Sequence, residues 1–337
     1  MSSVAVVLLN WNGLNHLQEY LPQVVKATGN IAEIVIIDNH STDESINWVN
    51  KHFPEIRCIV NDKNYGFAGG YNKGLTKVKA EVYVLMNTDV RPESNYLDPV
   101  LNLFNSNPLI AACQPKIKAI AQPDFFEYAG AAGGFIDKDG FAFCRGRIFD
   151  TVEHDSAQYN DNRPIFWATG ACLFIRSVDF WSVGGFDEDF FAHMEEIDLC
   201  WRLKNRGRQI WYCGESTIYH LGGGTLSYQN NLKAYLNFRN NLFLLYKNHR
   251  NSPLFFKLFR RLFIDGIAAI RALFSGKPVM LWVVLKAHFA FYGALGTLRK
   301  KRKTMVIESP DKTGVYKRSV VFDYFIRKKK HFTDLEF

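Results

Sequence analysis

Three carboxylates stand close together in the second half of the chain, among large apolar residues. Glu195, Glu196 and Asp198 lie within the segment 190–202, in which aromatic and aliphatic side chains flank the acids. If this segment is helical, Glu195 and Asp198 share a face and Glu196 points toward the side of Cys200. The acids of an ordinary amphipathic helix would be solvated, but these apolar neighbours favour partial burial. Burial raises the pKa of a carboxyl group, which is typical of functional sites.

Two further acids follow apolar runs and could bind parts of a phosphorylated ligand. Asp38 follows the run Ile34–Ile37, and it is equally consistent with an acceptor for a base or ribose and with a turn or cap residue. Asp89, with Asn87, follows the run Val82–Met86. A carboxylate at that position could hold a hard divalent cation that neutralises a diphosphate, with phosphates and waters as the other ligands.

A glycine-rich segment and a histidine are the remaining candidates. Residues 64–74 contain four glycines, and backbone amides at such a loop or helix start can approach a phosphorylated ligand closely. The segment matches neither a P-loop nor the GxGxxG fingerprint, and a plain flexible turn is the alternative. His220 precedes the glycines 222–224, although a single histidine is more often a structural residue than a ligand.

Short apolar runs place these residues in an α/β fold. The runs have the composition of buried strands and alternate with helical patterns; they are Val4–Leu9, Ile34–Ile37, Arg57–Val60 and Val82–Met86. This alternation predicts a doubly wound, Rossmann-like and mostly parallel sheet flanked by helices, which binds ligands beyond the carboxyl ends of its strands. The residues expected to converge in that crevice are Asn10, Asp38, Asn64 and Asp89.

Length and composition limit the class of protein. A chain of 337 residues predicts two domains, or one enlarged domain with an appendage. Hydrophobic residues make up 47% and charged residues 22%, which excludes wholesale disorder and a coiled coil. Residues 110–165 combine short strand patterns with glycine-rich turns and predict a β excursion.

The net charge of +8 is unevenly distributed. Residues 1–249 carry a net charge of −5 and residues 250–337 a net charge of +13. We therefore predict a catalytic body of residues 1–249, with halves 1–110 and 111–249, followed by a basic C-terminal extension of residues 250–337. A strongly basic end is typical of contact with nucleic acid or an anionic membrane surface.

The extension has the features of a membrane-associating segment. Leu254–Phe274 is a basic amphipathic stretch, and Pro278–Leu295 is at the lower length limit for a span and contains Lys286, so an interfacial anchor fits better. The clusters Arg299–Lys303 and Arg327–Lys330 are of the kind that binds anionic lipid head groups. Nucleic acid is the less favoured partner, because the body is acidic and contains no recognition motif.

The N-terminus and the cysteines indicate a cytoplasmic protein. Met1–Asn10 has no basic n-region, and its apolar run is too short for a signal peptide. The six cysteines are scattered and form no CxxC pair, so we expect reduced core thiols rather than disulfides or a zinc site.

Together, these segments resemble the family 2 inverting glycosyltransferases, in particular the bacterial rhamnosyltransferase-like branch. The resemblance extends over about residues 3–245, and although each motif is weak alone, their shared order is specific. The segments that carry it are Val6–Asn12, Ile37–Asp43, Asn64–Gly70 with Asn72 and Gly74, Asn87–Asp89, Trp167–Ala171, Gly184–Glu188, Glu195–Arg202 and His220.

The resemblance implies a GT-A fold and transfer of a sugar from a nucleoside diphosphate sugar to an acceptor hydroxyl, with inversion. It implies Glu196 as the base, with Glu195 as its rival, and Asp89 with His220 as ligands of Mg²⁺ or Mn²⁺. The residues implied on the donor side are Asn10, Asp38, Asn64, Gly66, Phe67, Gly70, Asn72, Asn87 and Asp89. Those implied on the acceptor side are Trp167, Gly170, Asp198 and Arg202.

The branch further implies a dTDP- or UDP-sugar donor and a glycan or lipid-linked glycan acceptor in cell-surface polysaccharide synthesis. We therefore expect a peripheral protein on the cytoplasmic face of the inner membrane.

Two departures from the family pattern keep alternatives open. The base position is commonly Asp and here is Glu196, and the first position of the D-x-D-like motif is Asn87. A catalytically inactive homologue that serves as a membrane-bound scaffold or nucleotide-sugar sensor is therefore one alternative. A sugar nucleotidyltransferase is the other, but it requires a basic glycine-rich loop after the first strand, and Asn10–Gly13 contains no Lys or Arg.

Overall fold

The first ninety residues alternate between strands and helices, as the hydrophobic pattern predicts. The computed structural model describes residues 3–222, 231–250 and 253–337. The elements of this half are β1 (Val4–Asn10), α1 (Leu14–Thr28), β2 (Glu33–Asp38), α2 (Ser45–His52), β3 (Arg57–Val60), α3 (Gly66–Leu75) and β4 (Val82–Met86). The four strands are parallel and lie side by side in the order β4-β1-β2-β3. Their carboxyl ends therefore meet at one edge of the sheet.

The glycine-rich segment is a helix, where the sequence predicts a loop over residues 64–74. Most of it forms α3, and its glycines allow that helix to lie close to the sheet. A Cβ on Gly74 would lie 2.4 Å from the Cδ1 of Ile37, and one on Gly70 would lie 3.0 Å from the Cδ1 of Leu9. Glycine at these positions therefore allows α3 to pack closely on the sheet, and it also leaves room for a ligand to approach.

The second half completes a mixed sheet and adds a smaller one. Its elements are β5 (Val90–Pro92), α4 (Asp98–Ser106), β6 (Ile110–Ala119), β7 (Gly134–Asp137), β8 (Ala142–Cys144), β9 (Arg147–Ile148), β10 (Thr151–Val152), β11 (Arg163–Ile165), β12 (Cys172–Arg176), α5 (Ser177–Ser182), α6 (Glu195–Asn205) and β13 (Gln209–His220). The main sheet has the order β11-β13-β6-β12-β4-β1-β2-β3, with β5 paired to β13. The expected mostly parallel arrangement holds in the first half, whereas β12 runs antiparallel between β4 and β6.

The core lies on both faces of the main sheet. In β1, Val6 and Leu8 pack with Leu17 of α1, while Ala5 and Val7 pack with Tyr71 of α3 on the opposite face. This alternation follows from the period of two along a strand. All six cysteines are free, as predicted from their spacing.

The C-terminal extension divides into two parts with different surroundings. Its helices are α7 (Asn231–Asn248), α8 (Leu254–Phe274) and α9 (Val279–Thr304), followed by β14 (Val315–Tyr316) and α10 (Val320–Phe325). Helices α8 and α9 form a hairpin that packs on α7, whereas β14 pairs in parallel with β7 in the smaller sheet, whose order is β10-β9-β8-β7-β14. Residues beyond the hairpin therefore belong to the body rather than to a tail. Among the described helices, α9 alone has the length and apolar composition that a membrane crossing requires.

Phe332→Ala tests whether the segment after the hairpin stabilises the body. The Phe332 ring is 8% exposed and its centroid lies 4.8 Å from that of Phe135. Loss of such a buried ring is expected to cost about 3 kcal/mol of the free energy of unfolding, measured by chemical denaturation. Phe322→Ala, at a ring that is 47% exposed, is the matched control and should change that free energy by no more than about 0.5 kcal/mol. Equal effects of the two substitutions would contradict this description.

Candidate active site

Polar side chains at the ends of β1 and β2 form the floor of the crevice. The Asn10 amide donates to Asp38 Oδ1 at 2.9 Å and to Ser45 Oγ at 2.9 Å. Asp38 also accepts from the backbone N–H of Ser41 at 2.9 Å. Asn10 and Asp38 are almost fully buried, so the two predicted donor-side residues are brought together. The indole of Trp11 lies just beyond them and is 49% exposed.

Asn39 connects this floor to the start of α3. Its amide donates to Asn64 Oδ1 at 2.8 Å and to the carbonyl of Gly66 at 2.9 Å, and its Oδ1 accepts from Asn61 at 3.2 Å. Gly66 adopts a φ of +70°, a conformation that favours glycine. Asn39 belongs to the segment Ile37–Asp43 that carries the family resemblance, but nothing in the sequence singles out Asn39 or Asn61 as a site residue.

The other predicted donor-side residues of α3 face the second half of the chain. The amide of Asn72 donates to the carbonyl of Phe186 at 2.8 Å, and its Oδ1 accepts from the N–H of Phe186 at 2.9 Å. The Phe67 ring lies edge-on to that of Phe186, and a Cβ on Gly170 would lie 3.3 Å from Phe67. Phe67, predicted on the donor side, and Gly170, predicted on the acceptor side, therefore lie in contact.

Asp89, Asn87 and His220 lie together at the ends of β4 and β13. His220 Nε2 is 3.2 Å from Asp89 Oδ1 and 3.3 Å from the Asn87 amide. On the opposite side of the ring, His220 Nδ1 is 3.4 Å from Glu127 Oε2. Burial alone would lower the pKa of His220, but the two carboxylates outweigh burial and raise that pKa to about 10. The glycines 223–224 lie outside the described residues.

This arrangement fits a divalent cation held partly by a substrate, provided that the cation displaces the proton from Nε2 of His220. A carboxylate at Nδ1 of a histidine fixes the ring so that Nε2 is presented to a metal, and Asp89 faces that nitrogen. No group of three metal-ligating side chains occurs within residues 3–222, 231–250 and 253–337. Diphosphate oxygens and waters would have to complete the shell, which is usual for Mg²⁺. Glu127 comes from the β excursion, and nothing in its local sequence distinguishes it.

The two candidates for the catalytic base, Glu195 and Glu196, stand at the N-terminus of α6. They are partly enclosed, as the sequence predicts. Glu195 is 5% exposed, and the Oε2 atoms of both Glu195 and Glu196 have no hydrogen-bond partner among the described residues. Burial, with the adjacent charge of Glu196, raises the pKa of Glu195 well above its usual range. Burial also raises the pKa of Glu196 to about 7, against the opposing pull of backbone amides. Burial thus disfavours the charged form of both carboxyls, and the pKa of Glu196 lies where that group can exchange a proton near neutral pH.

The loop that precedes Glu195 and Glu196 has a strained backbone. Phe191, His193 and Met194 have φ values of 61°, 67° and 73°, which side-chain-bearing residues rarely adopt. The buried amide of Asn240 in α7 compensates, since it lies 3.0, 2.9 and 2.7 Å from the carbonyls of Phe190, Ala192 and His193. The position of the candidate base therefore depends on a residue 44 positions away in the chain.

Asp198 and Arg202 lie beneath the acids and bond to the body. The fully buried carboxylate of Asp198 is 2.7 Å from Arg202 Nε, 2.7 Å from Lys247 Nζ and 2.7 Å from the Asn248 amide. Arg202 also donates to the carbonyls of Val183 at 2.6 Å and Gly185 at 2.8 Å. These charged groups position α6 within the fold.

Trp167 is likewise enclosed. Its indole N–H donates to the carbonyl of Phe135 at 2.9 Å, and a Cβ on Gly134 would lie 2.2 Å from its ring. The neighbouring N–H of Ala168 lies 3.5 Å from the Sγ of Cys200 in α6. The segment around Trp167 therefore packs on the helix that carries the candidate base. An acceptor contact by Trp167, Asp198 or Arg202 stays a prediction.

Residues 3–184 match the family model for Glycosyl transferase family 2, which is more than half of the chain. The chain belongs to this family. The predicted family and enzyme class are confirmed, and this family 2 enzyme is a glycosyltransferase rather than a nucleotidyltransferase. The match ends before Glu195, so the roles of the acids in α6 rest on the geometry above.

Relatives of this family 2 enzyme include rhamnosyltransferases. It is 25% identical over 233 residues to the N-acetylglucosaminyl-diphospho-decaprenol L-rhamnosyltransferase of Mycobacterium tuberculosis, an alignment that covers 64% of this chain and 75% of that protein. It is 22% identical over 223 residues to the O-antigen chain rhamnosyltransferase WbaN of Salmonella anatum, which covers 65% of this chain and 66% of WbaN. The predicted rhamnosyltransferase-like branch is thereby confirmed.

Solved structures confirm the predicted GT-A fold. The crystal structure of GalNAc-T7 with UDP, GalNAc and Mn²⁺ superposes with a TM-score of 0.57 at 16% identity, over 73% of this chain and 48% of that one. The mannosyltransferase PcManGT from Pyrobaculum calidifontis in complex with GDP-Man and Mn²⁺ has a TM-score of 0.50 at 14% identity, over 88% and 76%. At these identities the likeness concerns the fold.

Asp198→Asn tests whether this acid stabilises the fold. The substitution keeps the shape but leaves Arg202 and the 2% exposed Lys247 without their shared carboxylate. We expect a loss of roughly 3 kcal/mol in the free energy of unfolding, measured by chemical denaturation at neutral pH. Asp189→Asn, at a 41% exposed side chain paired with Lys301, is the control and should lose at most about 1 kcal/mol. A stable Asp198→Asn protein with a weakened affinity for acceptor would instead support the acceptor-side prediction.

Proposed function

We propose that this enzyme transfers a sugar, with inversion, from a dTDP- or UDP-sugar to a hydroxyl group of a glycan or lipid-linked glycan. The observation that carries the proposal is the position of Glu196 at the N-terminus of α6, where the side chain is half-buried, its Oε2 is enclosed without a hydrogen-bond partner and its pKa is raised to about 7. A general base works best when its pKa is close to the working pH. Glu196 is such a group, whereas burial and the charge of Glu196 raise the pKa of Glu195 well above its ordinary range.

In this mechanism, the acceptor oxygen attacks the anomeric carbon as Glu196 removes its proton. The bond from that carbon to the diphosphate breaks on the opposite face, so the configuration inverts and the nucleoside diphosphate leaves. Asn10, Asp38 and the start of α3 form the donor side. Trp11 presents an exposed flat ring at the end of β1, which is suited to stacking on a nucleobase.

We further propose that Asp89 and His220 hold Mg²⁺ or Mn²⁺, with Glu127 fixing the imidazole. A divalent cation at this site would neutralise the charge on the departing diphosphate. The crystal structures of GalNAc-T7 and of PcManGT both contain Mn²⁺ with a nucleotide or nucleotide sugar. Asn87 contributes an amide rather than a second carboxylate.

The acceptor and location follow from the relatives and from the C-terminal extension. The mycobacterial relative is named for a sugar linked through diphosphate to decaprenol, and WbaN is named for O-antigen chains. We propose a comparable lipid-linked acceptor in cell-surface polysaccharide synthesis. The enzyme would then work on the cytoplasmic face of the membrane, in contact with its anionic surface.

Nucleotide binding is the first test of the donor site. Thermal shifts of the full chain with UDP, dTDP, GDP and CMP, each with and without Mg²⁺ or Mn²⁺, should show stabilisation by dTDP or UDP that increases with metal. A ligand at about 100 times its dissociation constant adds roughly 2.7 kcal/mol to stability. Asp89→Asn should remove only the contribution of the metal. The absence of any shift would favour the inactive scaffold or sensor.

Glu196→Gln tests the base. Transfer should fall by about 10²- to 10⁴-fold, while nucleotide binding persists. In the wild-type enzyme, kcat should rise with pH around a midpoint near pH 7, because only the ionised Glu196 accepts a proton. The raised pKa also means that the native state loses stability as the pH rises toward 7 from the ordinary range of a glutamate. The variant should lack that loss and be the more stable protein at pH 8.

Glu195→Gln is the matched control for that experiment. Burial raises the pKa of Glu195 and so favours its neutral form, which glutamine matches in charge and shape, so this variant should retain more transfer than Glu196→Gln. The reverse order of activities would identify Glu195 as the base.

A further inference from the structure

Helix α8 carries its apolar face outward. Large apolar side chains recur at helical spacing along the solvent side, and each is more than half exposed. They are Phe255 (73%), Phe259 (62%), Phe263 (63%), Ile267 (51%), Ile270 (53%) and Phe274 (87%). A helix on a soluble protein normally turns such a stripe toward the core. Here more than half of each of these side chains is left open to solvent.

Most of the charged residues of α8 face the body instead. Arg261 and Asp265 form a buried pair at 3.0 Å, and Arg261 also contacts the amide oxygen of Asn241 at 3.2 Å. Lys257 donates to the carbonyl of Lys138 at 2.8 Å, and Arg260 lies 3.1 Å from Asp139. The sequence describes this stretch only as basic and amphipathic, and the structure shows that these three cations contact other residues of the chain. Arg260 and Arg271 are nevertheless exposed, so most of the charged groups of α8, rather than all of them, lie toward the body.

Helix α9 continues the same outer surface. Its inner side chains, which include Val283, Val284 and Phe291, are buried, whereas Lys286 is exposed and lies over the ring of Tyr235 in α7 at 5.2 Å. Its outward side chains form a second apolar stripe of Trp282, Leu285, Phe289 and Tyr292, of which Trp282 and Phe289 are more than 70% exposed. A helix packed against the body in this way lies along a membrane surface rather than across it.

Between the two stripes is an apolar groove with cations at one end. It has a volume of about 570 Å³ and is lined by Phe255, Phe259, Phe291 and Tyr292, with Arg299 at its end. Arg299, Lys300 and Lys303 are exposed there, whereas Lys301 pairs with Asp187 and Arg302 donates to the carbonyl of Tyr246. Hydrocarbon-like surface bounded by a few outward cations matches the chemistry of a lipid leaflet.

We propose that the outer face of the α8–α9 hairpin inserts into the hydrocarbon of one bilayer leaflet, with Arg299, Lys300 and Lys303 at the level of the head groups. This deepens the proposed function, on which it rests for a lipid-linked acceptor. The sequence predicts an interfacial amphipathic anchor over residues 254–295, and the proposal specifies which face of the hairpin enters the leaflet. Monomeric soluble proteins rarely expose so large a continuous apolar patch.

The inserted face would border the catalytic site. Helix α9 packs on α7, where Lys286 lies over the ring of Tyr235. The same helix α7 carries Asn240, whose amide donates to the carbonyls of Ala192 and His193. These two residues belong to the strained loop before Glu195. Seating the hairpin in a leaflet would thus bring the head-group region close to the candidate base.

Flotation of the full chain with vesicles tests the insertion. The protein should bind vesicles of phosphatidylcholine alone and remain bound in about 1 M NaCl, where charges are screened beyond about 3 Å. Phe255→Ser, Phe259→Ser and Phe263→Ser combined should reduce the partition coefficient at least about tenfold. The control combines Arg299→Ala, Lys300→Ala and Lys303→Ala, which should leave binding to neutral vesicles unchanged.

The outcomes separate insertion from the alternatives. Wild-type binding that requires phosphatidylglycerol and is lost at high salt would overturn insertion in favour of surface charge. A wild-type dimer by light scattering that ignores vesicles, and that becomes monomeric with the three serines, would identify a second copy as the occupant. The wild-type result with neutral vesicles decides the matter even if the serine variant fails to fold.

Failure of the proposed function would look different. The serine variant should keep the metal-enhanced thermal shift with dTDP or UDP, because its changes lie outside the donor site. A wild-type protein that inserts into neutral vesicles but binds no nucleotide would refute the glycosyltransfer proposal and leave the insertion standing.

Discussion

A single buried carboxylate, that of Asp198, connects the parts from which the site is assembled. It binds Arg202 within α6 and Lys247 and Asn248 at the end of α7. Through Arg202 it also fixes the turn at Val183 and Gly185. A charge removed from water is tolerated only when it is fully bonded, and here three donors surround it. The placement of α6, and with it the two glutamates at its N-terminus, follows from this arrangement.

The part of the site that depends on Asp198 combines several features that are energetically unfavourable on their own. Glu195 is buried and Glu196 beside it is half-buried, and the loop before them contains three residues with positive φ. Such features persist only where the surrounding structure compensates for them, which Asn240 does through three carbonyls. Burial raises the pKa of Glu195 well above its usual range and brings that of Glu196 to about 7. The same burial that destabilises the charged form of Glu196 makes it an effective proton acceptor.

Local patterns predicted the strands of the first half and the partial burial of the two glutamates, because each depends on neighbouring residues. The convergence of Asn10 and Asp38 followed from the rule that parallel strands end at one edge of a sheet. The structure also contains features that no local pattern carries. Asn240 and Glu127 act on groups distant in sequence, and the close approach of α3 to Ile37 and Leu9 depends on the absence of side chains at Gly74 and Gly70. The apolar period of α8 was evident, but periodicity does not reveal which face meets the body. The orientation of α8 depends on contacts with residues elsewhere in the chain, such as those of Arg260 with Asp139 and of Arg261 with Asn241.

Because β14 pairs with β7 in the smaller sheet, that sheet cannot be completed until the end of the chain has been synthesised. Residues 254–304 emerge from the ribosome before residues 315–332, so the hairpin exists while the strand beside β7 is still missing. Domains begin to fold during synthesis, and a hairpin with outward phenylalanines would meet lipid while the body is incomplete. Shortening the chain at residue 249 to obtain a soluble enzyme would remove β14 and Phe332 along with the hairpin. An internal deletion that joins α7 to the segment before β14 would preserve both.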